Sequence, residues 1–154
     1  MPTTLDPQAA MLVDELEALA IAALQDNTPW YCPSLRTAHV NGRTITATFS
    51  TLSDLLLDDG PHGCALLSES AAPSITNVSV QGHDVILKLD GDLPADARLS
   101  YAWGATQKQN TGRFANAGSL RDQWSRPSVM APAQTLHRNA LAGCVAVLPA
   151  GGPA

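Results

Sequence analysis

The stretch LRTAHVNGRTITATFS, residues 35–50, constrains this chain more than any other. Asn41-Gly42 separates two short runs, and in the second run Thr44, Thr46 and Thr48 alternate with Ile45, Ala47 and Phe49. A period of two sends the threonines to one face of a strand and the apolar residues to the other. Asn-Gly between such runs is a strong signal for a two-residue hairpin turn. Five more runs of the same kind follow: CALLS, ITNVSV, DVILKLD, RLSYAW and AGCVAVL, with Gln81-Gly82 and Asp90-Gly91 marking turns. Around seven short strands at this spacing predict a mainly β fold, an antiparallel two-sheet β-sandwich of jelly-roll-like form.

Residues 5–27 stand apart from that pattern. Asp6 can cap a helix, Pro7 suits its first position, and Ala9, Leu12, Leu16, Leu19, Ala20 and Leu24 recur at spacings of three and four. One N-terminal amphipathic helix is therefore expected, stopped by the two prolines of TPWYCP. The division is 1–28 helix, 29–149 sandwich and 150–154 tail. Leu12, Leu16, Leu19 and Leu24 either pack on the chain's own body or dock on a partner or a second copy. Trp30 and Tyr31, between helix and strands, are expected to plug that junction.

Residues 104–139 show no clean period and are expected to form one long loop. Within it AGSLRDQW, residues 117–124, holds Arg121, Asp122 and one of only three tryptophans, Trp124. Two readings apply. In the first, the planar fork of Arg121 and the Asp122 carboxylate brace the loop's own backbone. In the second, Trp124, with Tyr101 or Trp103, offers a face on which a sugar ring stacks while Arg121, Asp122 or Asn116 bind its hydroxyls. Trp103 is expected in the core.

Composition narrows the partners. A net charge of −5 with nine scattered basic residues provides no line of cations for phosphates, so nucleic acid is not expected. ALAIAALQDN follows Asp14, Glu15 and Glu17 instead of a basic segment, so it is not read as a secretion signal, and no apolar run reaches the roughly 20 residues needed to span a bilayer. Cys32, Cys64 and Cys144 are odd in number and far apart, as reduced, structural thiols are. His39, His62, His83 and His137 have no ligand-like spacing, so neither a metal nor a cofactor is expected. His62 lies two residues from Cys64 but has no third group to orient it as a base. Asp58-Asp59 is read as a solvated turn and not as a Ca²⁺ loop.

LSYAWG, NAGSLRDQW and LHRNALAGCVAVLP, in that order, resemble the C-terminal β-sandwich attached to SGNH (GDSL-like) esterase domains in phage and prophage virion proteins. The pattern is carried by Tyr101, Ala102, Trp103, Gly118, Leu120, Arg121, Asp122, Leu136, His137 and Asn139, and the resemblance covers residues 29–149. An SGNH hydrolase also needs a nucleophilic serine in a Gly-Asp-Ser block, an oxyanion hole and a late Asp-x-x-His. The chain has none of these. LDPQAAMLVDELEALAIAAL is similar to the last helix of such a hydrolase, with Ala9 standing where the histidine would follow Asp6.

The resemblance implies a non-catalytic virion protein of a tailed phage or a gene-transfer-agent-like particle. It would be assembled in the bacterial cytoplasm and displayed at a fibre, spike or head vertex. Expected partners are other virion proteins and further copies of the chain, with host-surface polysaccharide as the ligand if the sandwich binds one. The alternatives are a purely architectural adaptor and a non-catalytic subunit of an SGNH esterase.

Overall fold

The computed structural model describes residues 7–103 and 118–150. The expected cap Asp6, the side chain of Ala9, and residues 104–117 with Asn116 lie outside the described residues. Among the described residues the molecule is mainly β, with one helix. The helix, α1, runs Pro7–Gln25, a rod of about 28 Å. It ends in a Schellman motif: Asn27 takes φ 54°, Thr28 N–H donates to the Ala23 carbonyl at 2.8 Å and Asn27 N–H to that of Leu24 at 3.3 Å. Pro29 then prevents any continuation.

Among the described residues ten strands follow: β1 Ser34–Asn41, β2 Thr44–Ser50, β3 Leu55–Leu57, β4 Cys64–Leu67, β5 Ile75–Gln81, β6 Asp84–Leu89, β7 Arg98–Tyr101, β8 Leu120–Pro127, β9 Thr135–Asn139 and β10 Gly143–Pro149. Seven of them form one sheet in the order β4-β7-β10-β1-β2-β6-β5, and β3-β8-β9 form a second. In β2 the alternation behaves as its residues dictate, with Ile45, Ala47 and Phe49 buried and the threonines facing outward. Val85, Leu87 and Leu89 of β6 and Leu99 and Tyr101 of β7 join the same core, and Leu55 and Leu120 bring the small sheet onto it.

Three expectations need correction. The sheet is mixed, because β10 runs parallel to β1 with Ala38 opposite Val147; the closing strand lies between β7 and β1, so the first and last strands of the body are neighbours. The β1–β2 turn is also displaced by one residue. Asn41 pairs with Thr44, leaving Gly42-Arg43 as the turn. Only Gly42, at φ 62°, is left-handed there, the pattern of a turn with glycine in its first central position. Finally, the long loop expected over 104–139 contains two strands, β8 and β9, which pair antiparallel.

Candidate functional site

Strands β8 and β9 were hard to see in the sequence because β8 is irregular. Its register with β9 jumps between Arg121 and Ser125, so the residues between them form a bulge whose backbone groups need other partners. Side chains supply them. Trp124 N–H donates to Asp122 Oδ1 at 2.9 Å, and Gln123 N–H donates to Ser53 Oγ at 2.9 Å. From Leu120 onward this stretch is thus a bulged strand braced by its own aspartate, not an open loop.

Asp122 is 0% exposed, and its Oδ2 lies 2.8 Å from Nε of Arg138, itself buried. Neither atom has a well-aligned hydrogen bond among the described residues, so the pair attracts chiefly as charge against charge. Two indoles complete the enclosure. The Arg138 guanidinium carbon lies 5.1 Å from the Trp30 ring centre and 5.6 Å from that of Trp124, within cation–π range. The two rings meet edge to face at 5.0 Å. Trp30 therefore does plug the junction, tying the segment after α1 to the small sheet, whereas Tyr31 is exposed. Burial pushes the neighbouring Cys32 thiol up; the Asp122 carboxylate adds to this and Arg138 opposes it.

Arg121 is held on the other side of the strand. Its Nε donates to Asp58 Oδ2 at 2.6 Å and its Nη1 to the Asp122 carbonyl at 3.2 Å. Asp58 is thus the partner of an arginine and not part of a free turn. Tyr101 is buried in the core. Its Oη accepts the Leu120 N–H at 3.0 Å, and its ring meets Phe49 edge to face at 6.0 Å. Gly118 makes this contact possible, since a Cβ there would overlap the Tyr101 phenol. Burial raises the Tyr101 hydroxyl from its ordinary value.

Of the residues expected to contact a sugar, Tyr101 and Asp122 are sealed inside, Arg121 is engaged by Asp58, and Trp124 is half-buried against Arg138 and Trp30. They come together as a brace. Trp103, expected in the core, is 48% exposed instead, because Ala102 takes φ 51° and turns the chain out of β7. His62 and Cys64 do not form a nucleophile. His62 Nδ1 accepts the Cys64 backbone N–H at 3.0 Å, and burial pushes the Cys64 thiol up to about 12. The three cysteines are free thiols. Among the described residues no group of His, Cys, Asp and Glu could hold a metal ion, and no helix is long and apolar enough to cross a membrane.

Two contributors escaped the sequence reading. Arg138 shares a strand face with Leu136, two residues away, and that spacing was available once 135–139 was taken as a strand. Glu15, from α1, reaches the β8–β9 turn. Its carboxylate accepts from Ser128 Oγ at 2.7 Å, Val129 N–H at 3.0 Å and Met130 N–H at 3.1 Å. These bonds, the one from Ser128 first, hold its carboxyl below the ordinary value of 4.5. Beside this hook an open groove is lined by Met11, Met130, Ala131, Pro132 and Ala133.

The apolar positions on α1 divide. Leu12, Leu16 and Leu19 are half-buried on the side that carries Glu15, and Leu24 points away at 77% exposure. No helix side chain among the described residues is fully buried. Compared with known protein families, curated proteins and solved structures, the chain has no match.

Proposed function

We propose that the chain is a non-catalytic assembly protein of a phage-like particle. Its two sheets would act as the layers of a sandwich-type body, and α1 would dock that body onto neighbouring virion proteins. One observation carries the docking role: a helix rich in leucine and alanine leaves every described side chain half-buried or exposed, and Glu15 supplies its polar attachment to the β8–β9 turn. A helix that is apolar on most of its surface is ordinarily covered. The particle itself rests on the resemblance carried by Tyr101–Trp103, Gly118–Asp122 and Leu136–Asn139. The Cys-His pair does not support a catalytic reading: burial holds the Cys64 thiol protonated and a backbone amide occupies His62.

The experiment is sedimentation of particles released from the source culture. The chain should band with capsid and tail proteins in a density gradient; recovery only in the particle-free fractions would overturn the reading. Recognition of host-surface polysaccharide is a second proposal. The half-exposed indole of Trp103 favours it, with Trp124 at the rim of the brace. Capsule or lipopolysaccharide binding that is unchanged in both Trp103→Ala and Trp124→Ala would remove it.

A further inference from the structure

The side of α1 turned away from Glu15 is a second apolar face. Val13 is 46% exposed, Ile21 58% and Leu24 77%. With Glu17 they recur at spacings of four, four and three, which aligns them on one side of the rod. Glu17 stands in the middle of this strip, with Asp14 on its flank, and neither forms an ion pair among the described residues. The helix has no basic residue at all.

These features decide among three occupants. A second copy packed through the same face would bring its own Glu17 and Asp14 against this strip with no cation from either helix, and like charges at close range oppose association. An anionic membrane surface selects helices whose polar face carries Lys or Arg, and α1 has neither. A different protein, presenting an apolar groove with a lysine or arginine opposite Glu17, satisfies both halves of the face.

We infer that the outer strip of α1, Val13, Glu17, Ile21 and Leu24, is the docking surface for a partner protein whose apolar groove supplies a basic side chain at Glu17. The inference rests on the docking role proposed for α1, but not on the particle. A chain that never sediments with virions can still have this specificity.

The test uses the full chain and two labelled amphipathic helical peptides with leucines at heptad core positions. One carries lysines at the flanking positions and the other glutamates, and binding is read by fluorescence anisotropy. The lysine peptide should bind roughly tenfold more tightly, and its advantage should shrink as salt rises. Glu17→Gln should remove most of that advantage. Ile21→Asp should abolish binding although it makes the protein more acidic, whereas non-specific attraction of a cationic peptide would increase. Both changes lie on exposed or partly exposed helix positions, and circular dichroism of each variant checks that α1 persists. Equal binding of the two peptides, or none, overturns the inference. So does a peptide-independent dimer that Ile21→Asp converts to monomer, or tighter binding to phosphatidylcholine–phosphatidylglycerol vesicles than to the lysine peptide.

Discussion

The β8–β9 hairpin and α1 are opposite solutions to the same problem of placing charge beside apolar surface. In the hairpin the charges are inside. Asp122 and Arg138 are buried together, walled by Trp30 and Trp124, and the carboxylate also serves the backbone of a bulge. In α1 the carboxylates of Asp14 and Glu17 remain exposed, and among the described residues only Glu15 is used by the body. A buried pair is costly to break because removing one partner strands the other away from water. An exposed face costs little to alter in the free chain, so its composition is left to be accounted for by a partner. The difference separates what holds this fold from what the fold has to offer.

Breaking the ion pair should have the largest effect. Arg138→Met leaves Asp122 uncompensated and should lower stability by about 3–5 kcal/mol, read from urea unfolding. Adding Asp122→Leu should recover part of the loss, the remainder reflecting the Trp124 amide that Asp122 serves. Next comes Tyr101→Phe, which leaves the buried Leu120 N–H unserved and should cost about 1–3 kcal/mol in the same assay. Arg121→Ala removes a more exposed pair with Asp58 and should cost under about 1 kcal/mol. Ile21→Asp should leave unfolding within about 0.5 kcal/mol of the parent. A large loss there would mean that α1 is part of the core after all.

Acid provides a more delicate test of the polar link between the two regions. The Glu15 carboxyl is depressed in the folded state, so its grip on the β8–β9 turn is fully present above its ordinary value of 4.5 and is lost as pH falls through the lowered one. The amide shifts of Val129 and Met130 should follow that titration, and Glu15→Gln should abolish their pH dependence.

Much of the body was legible in the sequence. The seven runs read as strands appear as β1, β2, β4, β5, β6, β7 and β10, because each either alternates or is a short apolar run. The three missed strands each lack that signal. Leu55–Leu57 is too short to show a period, β8 is broken by its bulge, and β9 places Arg138 where an apolar residue would ordinarily mark the inner face. The parallel β1–β10 pair depends on which strands become neighbours, which no local pattern records. For AGSLRDQW, the sequence supplied the right groups and left open whether they faced solvent. What decided it was Arg138, separated from Asp122 by the β8–β9 turn and visible as a partner only once the two strands are laid side by side.

Site-resolved hydrogen exchange on the free chain compares the two regions in one experiment. The amides of Ile45, Ala47 and Leu87 should exchange only through global unfolding, whereas those of Leu16 to Ala23 should open locally at a much smaller free energy. Equal protection in helix and strands would contradict the assignment of α1 as an element waiting for its partner.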